Sequence, residues 1–424
     1  MAGNGTTGAG GEPARICVVT SYTAAAEPRA PRHALAARMA FPDADIVFVD
    51  IAPAGAARAP DPMLLKASKP KRLTLEFPTR AASPVRLAGR KLATRLGRAA
   101  FSATGVVNES IFGDKAQGLA RALRGVAADV YIAHNIETLW PAINAAKSSG
   151  GSVVFDCMEY YSDMGDSQHP VEARAARVIE GRCLSSCALV IASSDELADV
   201  LAAEYSIARP LPAYNVPPRA SGLPPRKGGG LNLYWRNSVV GFGQRGLEDA
   251  LAALVQLPED VRLYLQGRLP ADGGRELNER VAAMGLRDRV FVLPPYAPEE
   301  AVQQAAPFDV GLCLERRGPR NHDLTVSNKM FDYHMGGLAV IATDLPGLAS
   351  VIRRSRAGLV CEPGDPASLV SAIGQLRSSP ERLTEMQSNA RRFAMEEANL
   401  ELELEKIAAA LKGALRSNQN VVAP

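Results

Sequence analysis

Two charged side chains, Lys329 and Asp332, lie in a polar segment that precedes a glycine pair and the apolar run Leu338–Ala342. This pattern predicts a short helix that ends at the glycines and leads into a buried strand. In an open α/β sheet, ligands bind where such strands end. There Asp332 could hold a pair of sugar hydroxyls and Lys329 a phosphate. An ordinary helix–glycine–strand unit is the alternative.

A second segment suited to phosphate is Gly241–Gly246, which reads G-x-G-x-x-G between a predicted strand and a predicted helix. Glycine lets backbone N–H groups and a helix N-terminus meet an anion. A dinucleotide site also requires an acidic residue after the next strand, and Gln266 stands there instead. The pattern therefore argues against NAD. Arg236 at the strand end and Arg245 at the helix start indicate a pyrophosphate site.

Strands and helices alternate along the chain, which predicts parallel sheets with crossover helices. The predicted strands are residues 15–20, 45–50, 129–133, 152–156, 189–192, 231–235, 261–266, 289–293, 309–314, 338–342 and 358–361. Six prolines within residues 209–225 mark a linker. The fold class is therefore α/β, with two Rossmann-like doubly wound domains facing a cleft.

The domain boundaries follow from this alternation. We predict a disordered tail, an acceptor domain with a basic excursion, a linker, a donor domain and a C-terminal helix that packs back toward the first domain. These regions are residues 1–14, 15–212 (with the excursion at 64–101), 213–230, 231–390 and 391–415. Residues 381–415 are expected to be helical throughout.

Composition limits the class of protein. With 424 residues, 47% hydrophobic and 22% charged, the chain is expected to be soluble and to form two domains. The six cysteines include no C-x-x-C pair, which favours a reducing cytoplasm. No run approaches the roughly 18 apolar residues that span a bilayer. We expect a cytoplasmic protein, and leave open peripheral contact with the inner face of an anionic membrane.

The possibility of membrane contact comes from the basic excursion. Residues 66–98 hold ten basic residues and one acidic residue, a net charge of +9, which leaves −6 for the rest of a chain of net charge +3. Apolar residues recur at helical spacing over Val85–Phe101, with arginines including Arg90 and Arg95 beside them. Such a helix suits an anionic membrane, an anionic acceptor or simply solvent. Nucleic acid is not expected, because only 5% of residues are aromatic.

An ordered run of motifs in the second half resembles the nucleotide-sugar glycosyltransferases of GT-B architecture, close to glycosyltransferase family 4. The matching segments are Arg245–Leu247, Leu263–Gly267, Val290–Pro294, Asp309–Leu312, Ser327–Tyr333, Gly337–Ala342 and Gly358–Pro366. The first half resembles the family more weakly, at Glu27–Arg29, Ala133–Asn135, Phe155–Glu159 and Asn215–Pro218.

The resemblance implies a set of donor-site residues. Those for the diphosphate are Arg236, Arg245, Gly243, Gly246 and Lys329; those for the nucleoside are Asp332, Pro294 and Pro295; and those for the sugar are Thr325, Ser327 and Asn328. Leu324 stands where the family usually has a glutamate at the sugar ring. Main-chain groups of Thr325–Asn328 are therefore expected to replace that side chain.

The resemblance also implies the reaction, which is transfer of a sugar from a nucleotide diphosphate sugar to the hydroxyl of a carbohydrate, lipid-linked or small-molecule acceptor. It implies retention at the anomeric carbon, and neither a divalent metal nor a cofactor. His134 and Glu159 each follow a predicted strand and are the candidate catalytic residues. Asp43 and Asp45 form a D-x-D pattern, which we interpret as a turn before a strand.

Two alternatives remain open. An epimerase of the same fold would convert the nucleotide sugar without an acceptor, but would require acidic residues where Leu324 stands. A non-catalytic nucleotide-sugar-binding component of a polysaccharide assembly complex would bind the donor without turnover.

Overall fold

The computed structural model describes residues 14–53, 62–67, 69–77, 84–165, 168–243 and 245–421. Contacts divide the chain into two compact units. The first runs to Ala213 and takes in the chain from Glu403 onward, and the second is Tyr214–Leu402. Apart from Ala14, the predicted tail lies outside the described residues. None of the described helices is long and apolar enough to cross a membrane.

The described part of the first unit contains one parallel sheet of seven strands, in the order β3-β2-β1-β4-β5-β6-β7. Most of its strands are runs of Val, Ile and other apolar residues buried on both faces, as is typical of parallel sheets. The strands are β1 (Arg15–Thr20), β2 (Asp45–Pro53), β3 (Lys71–Phe77), β4 (Val130–His134), β5 (Ser152–Cys157), β6 (Leu189–Ala192) and β7 (Leu211–Pro212).

Helices connect these strands. They are α1 (Arg29–Ala40), α2 (Pro62–Lys66), α3 (Pro84–Thr104), α4 (Asp114–Leu123), α5 (Ile136–Ser149), α6 (Pro170–Cys183) and α7 (Asp195–Tyr205). The sequence patterns predicted α3 within the basic excursion but not β3, which pairs in parallel with β2 and forms an edge of the sheet.

The second unit contains a parallel sheet of six strands among its described residues, in the order β10-β9-β8-β11-β12-β13. The strands are β8 (Leu231–Val239), β9 (Val261–Arg268), β10 (Val290–Leu293), β11 (Val310–Cys313), β12 (Ala339–Thr343) and β13 (Gly358–Cys361). The strand order reverses between β8 and β11, so a crevice opens beyond the carboxyl ends of these two strands. This is the place where a ligand is expected.

The remaining helices are α8 (Leu247–Val255), α9 (Arg275–Ala283), α10 (Ala301–Ala305), α11 (Arg320–Leu324), α12 (Asn328–Gly336), α13 (Pro346–Ser355), α14 (Pro366–Ser378), α15 (Pro380–Glu396) and α16 (Leu400–Val421). The prediction of an unbroken helix over 381–415 is wrong. Asn399 interrupts it, since its amide donates to the carbonyl oxygens of Ala394 and Met395 at 3.0 Å and its Oδ1 accepts from the Leu402 N–H at 3.1 Å.

One close contact in the second core bears directly on the crevice. Gly311, in the middle of β11, has the ring of Tyr333 so near that an added Cβ would lie 2.2 Å from the ring atom Cδ2. The fully buried Tyr333 is held there, and its hydroxyl accepts a hydrogen bond from the Arg236 N–H at 3.2 Å. The absence of a side chain at position 311 therefore positions α12 against the end of β8.

We expect Gly311→Ala to lower the free energy of unfolding of the second unit by about 1–3 kcal/mol, because the added methyl overpacks the core. Urea denaturation followed by fluorescence measures this in a Trp140→Phe background, where Trp235 is the single tryptophan. Gly374→Ala in α14 is the matched control, because nothing lies within 4 Å of its Cβ position. An unchanged midpoint for Gly311→Ala would contradict the proposed contact.

Candidate functional site

Arg236 lies in the second half of β8, directly after the fully buried Trp235, at the point where regular pairing with β9 ends. Its guanidinium donates to the Tyr296 hydroxyl at 2.7 Å and forms an ion pair with the carboxylate of Asp332. Arg236, which was predicted to bind the diphosphate, and Asp332, which was predicted to bind the ribose, are therefore brought together. In this structure they are each other's partners.

A second ionic group lies at the carboxyl end of the neighbouring strand, β11. Glu315 is buried there and forms ion pairs with two cations, the Arg245 guanidinium and the Lys329 ammonium, whose Nζ is 3.2 Å from Oε1. Lys329 is buried, whereas the Arg245 side chain is 40% exposed. We name Arg245, Glu315 and Lys329 the cationic triad, since two positive charges share one negative charge.

The pKa of Glu315 shows the balance of forces within the triad. Burial raises the pKa, but the nearby Lys329 and Arg245 outweigh burial and hold the pKa below its usual value. The carboxylate is thus ionised at neutral pH, and the triad carries a net positive charge. Sequence reasoning missed Glu315. The available signal was its position: it follows β11, the neighbour of β8, and Arg236 lies where the regular pairing of β8 with β9 ends.

The glycine segment before α8 closely approaches the backbone after β11, as its sequence predicts. Gly246 has φ 66°, and a Cβ there would lie 2.5 Å from the Leu314 carbonyl oxygen. The start of α8 is thereby held against the end of β11, and the Trp235 indole fixes the Arg245 carbonyl at 2.9 Å. The N–H of Gly243, a predicted phosphate donor, instead donates to Glu248 at 2.7 Å.

The predicted nucleoside residues lie beside the Arg236 group. Pro294 and Pro295 are exposed after β10, and the Pro294 carbonyl accepts from the Gln266 amide at 2.9 Å. The Tyr234 hydroxyl donates to the other end of that amide. These contacts place the 294–296 loop next to Arg236, through Tyr296.

The predicted sugar residues form the loop between α11 and α12. Leu324 is buried, so its side chain belongs to the core. Thr325 donates through its hydroxyl to the Asn321 carbonyl at 2.8 Å, and a Cβ on Gly347 would lie 2.9 Å from the Thr325 carbonyl. Ser327 caps α12 without a side-chain hydrogen bond, and Asn328 is exposed. The start of α13 therefore packs on this loop and orients its main chain.

In the first unit, His134 has no exposed surface. It ends β4 beside Asp156 at the end of β5, with Nδ1 3.0 Å from Oδ2. Asp156 also receives two hydrogen bonds from Arg29, at 2.8 and 2.5 Å. The structure thus places His134 within a buried ionic cluster and not at a surface, and its catalytic role stays a prediction.

This cluster holds the one set of donor atoms with metal-ligand geometry among the described residues. Ligand atoms of His33, His134 and Asp156 all lie within 4.8 Å of one another. Burial raises the pKa of Asp156, but Arg29 outweighs burial and the pKa lies well below its usual value. A metal ion would therefore have to displace a buried guanidinium that already neutralises the carboxylate.

Glu159 lines a pocket of about 400 Å³ in the first unit. Asn135, directly after β4, and Met158, directly after β5, place this pocket at the carboxyl edge of the sheet. The buried Tyr161 also lines it, and its hydroxyl has no hydrogen-bond partner among the described residues. Other lining residues are Tyr22, Ala26, Glu27, Phe112, Ile136, Glu137, Met164, Gln168 and Glu172. The pocket offers carboxylates to a hydroxyl-bearing ligand.

Four further residues singled out in the sequence lie elsewhere in the first unit. Asp45 begins β2, at the sheet edge opposite the carboxyl ends, and its N–H donates to the Ala14 carbonyl at 2.9 Å. The D-x-D pattern of Asp43 and Asp45 thus forms the turn that leads into β2, as interpreted from the sequence. Arg90 pairs with Asp114 at 3.2 Å, and Arg95 is exposed on α3. None of these residues lines the pocket around Glu159.

Comparison with known protein families gives a match within the second unit. Residues 240–379 match the family model of glycosyl transferases group 1, and this span includes the whole cationic triad. No curated protein sequence matches the chain significantly.

Solved structures share the fold at low sequence identity. The UDP-glucose complex of HepE from Anabaena aligns with a TM-score of 0.67 at 15% identity, over 94% of this chain and 100% of that chain. A glycosyltransferase from Rickettsia africae gives 0.67 at 13% identity, over 95% and 99% of the two chains. Sucrose-phosphate synthase from Thermosynechococcus elongatus gives 0.65 at 14%, over 97% and 100%. The GT-B fold and the resemblance predicted from the sequence are confirmed.

We expect Glu315→Gln to destabilise the second unit by on the order of 3 kcal/mol, because Lys329 is left as a buried charge without its anion. The pKa of Glu315 is depressed on folding, so its stabilisation is complete above the unfolded value of about 4.5 and is lost as pH falls through the folded value. The variant should lack this acid-dependent loss. Urea titrations from neutral to acid pH, in the Trp140→Phe background, measure both effects.

The control for this prediction is Glu276→Gln, which removes an exposed pair with Arg280 and should change stability by only about 0.5 kcal/mol. Combining Glu315→Gln with Lys329→Met should restore part of the loss. Equal stability of Glu315→Gln and the parent would show that the triad is not a buried ionic group.

Proposed function

We propose that this chain, a group 1 glycosyltransferase with the GT-B fold, transfers a sugar from a nucleoside diphosphate sugar to an acceptor hydroxyl with retention at the anomeric carbon. The observation that carries the proposal is the cationic triad at the point where the strand order of the second sheet reverses. A crevice that presents excess positive charge there suits a diphosphate.

The donor diphosphate is proposed to take over the cations from the protein's own carboxylates. Arg236, Arg245 and Lys329 face two carboxylates, Glu315 and Asp332, so one positive charge is in excess. Arg245 is the most exposed of these cations and can turn from Glu315 to a phosphate without unfolding its surroundings. Lys329 is buried and supplies a fixed charge behind it.

The nucleoside is proposed to bind at the Asp332 side of this crevice. When Arg236 turns to phosphate, the Asp332 carboxylate becomes available to accept hydrogen bonds from the ribose hydroxyls. The exposed Pro294 and Pro295 would then contact the base. Because HepE from Anabaena has been solved with UDP-glucose, uridine diphosphate is the first nucleotide to test.

Bond cleavage in this proposal depends on stabilising the leaving group. Negative charge grows on the diphosphate as the glycosidic bond stretches, and Arg236, Arg245 and Lys329 stabilise it together with the N-terminus of α8. The acceptor hydroxyl attacks the anomeric carbon from the face that the diphosphate leaves, and its proton passes to the departing phosphate. No metal or cofactor is required in this scheme.

The acceptor is proposed to bind the first unit, in the pocket that Glu159 and Tyr161 line. The carboxylates that line this pocket can accept hydrogen bonds from the hydroxyls of a sugar-type acceptor. Glu159 would orient the attacking hydroxyl. His134 has no exposed surface, so we propose that it positions the adjacent Asn135, which lines the pocket.

A binding protein without turnover is the second candidate function. The buried Leu324 favours it, because this position offers no side-chain oxygen to the donor sugar. No observation favours an epimerase, because it would require an acidic side chain where Leu324 stands. Incubation with a panel of nucleotide sugars separates the three: release of nucleoside diphosphate only with acceptor indicates a transferase, interconversion of donors an epimerase, and binding alone a binding protein.

We expect Arg245→Ala and Asp332→Ala each to lower kcat/KM for the donor by at least about 100-fold, because each removes a charge-assisted contact to the reacting nucleotide. Release of nucleoside diphosphate in the presence of acceptor measures the change. Arg377→Ala, which removes an exposed pair with Asp260, is the control and should leave the rate unchanged. Unchanged transfer by both site variants would overturn the assignment.

A further inference from the structure

Helix α3 turns its apolar side to solvent. Val85, Leu92 and Leu96 are 82%, 56% and 62% exposed, although their spacing puts them on one face of the helix. A surface helix of a globular protein ordinarily turns such a stripe to the core and its charged face to water. The opposite side of α3 buries Phe101, so the outward stripe is a second apolar surface that the fold leaves in water.

Ion pairs on the opposite side of α3 hold it in this orientation. Arg90 pairs with Asp114 at 3.2 Å, and Arg98 pairs with Glu172 and donates to the Ile111 carbonyl at 3.0 Å. Gly97 is buried between these arginines, and a Cβ there would lie 2.5 Å from Cβ of Ser110. The side of α3 that carries Arg90, Gly97 and Arg98 thus packs closely on the protein and leaves the outward apolar stripe uncovered.

The exposed stripe is surrounded by positive charge. Lys91 and Arg95 are exposed on α3 itself. Beside the helix, at Gly89, lies a groove of about 640 Å³ whose lining includes Arg90, Arg121 and Arg124. Its one carboxylate, Glu109, is already paired with Arg124 at 3.2 Å. Apolar side chains among arginines and lysines complement the surface of an anionic bilayer.

We propose that this α3 surface, which comprises the outward stripe and the arginine groove beside it, docks on an anionic lipid bilayer. The leucines enter the boundary of the acyl chains, and the cations meet lipid phosphates. A second copy of the chain is a poorer occupant, because it would bring Lys91 and Arg95 against the same residues of its partner. The proposal is independent of the transfer chemistry and does not require turnover.

Flotation of the full-length protein with vesicles tests the proposal. We expect it to rise with phosphatidylcholine vesicles that contain roughly 30 mol% phosphatidylglycerol, to rise poorly with phosphatidylcholine alone, and to be released by salt. Leu92→Asp should weaken binding about tenfold or more, because it puts a charge into the stripe. Val255→Asp is the matched control: it adds the same charge at a 51% exposed residue of the second unit and should bind normally.

Circular dichroism shows whether Leu92→Asp folds. If it does not, a charge-reversal variant, Lys91→Glu with Arg95→Glu, tests the same surface. It should abolish the preference for anionic vesicles. The proposal is overturned if the parent protein does not float, or if folded Leu92→Asp and the charge reversal both float like the parent. It is also overturned if sedimentation shows a dimer that Leu92→Asp dissociates while no vesicle binding occurs, since the surface is then an interface between copies.

Discussion

The crevice of the second unit depends on one buried carboxylate, that of Glu315. Removing a carboxylate from water costs several kcal/mol, and the cost is offset only by good partners. Lys329 and Arg245 supply them, one buried and one partly exposed. The same two contacts tie together the end of β11, helix α12 and the segment that opens α8. A structural requirement, the neutralisation of Glu315, therefore also places positive charge in the crevice.

The sheet topology explains why these residues meet. Because the strand order reverses between β8 and β11, the chain segments after those strands diverge and leave a crevice between them. Arg236 lies in the second half of β8 and Glu315 follows β11, whereas Lys329 and Asp332 lie one turn apart on α12. Gly246 and Gly311 allow the backbone and a tyrosine ring to approach where any side chain would collide. Both glycines act on the site through packing alone.

Much of this arrangement was predictable from the sequence. Strands β1, β6 and β13 have the predicted bounds, because each is a continuous apolar run between turn residues. Arg236, Arg245, Lys329 and Asp332 were predicted from residue type and position. The sequence did not reveal Glu315, because an acidic residue next to two arginines is typical of a surface loop, and its burial depends on Lys329, which is distant in the chain. Strand β3 was missed because three of its seven residues, Lys71, Arg72 and Glu76, are charged, which an edge strand tolerates. Helix α3 was predicted, but its outward apolar side depends on Asp114 and Glu172, which no local pattern specifies.

The central claim is that a nucleoside diphosphate replaces the protein's own carboxylates as the partner of these cations. A crystal structure with a bound nucleoside diphosphate tests it most directly. We expect the phosphates beyond the ends of β8 and β11, with Arg245 turned from Glu315 to phosphate and Asp332 bonded to ribose hydroxyls. A nucleotide bound elsewhere, or one bound there with the Arg245–Glu315 and Arg236–Asp332 pairs both intact, would contradict the account.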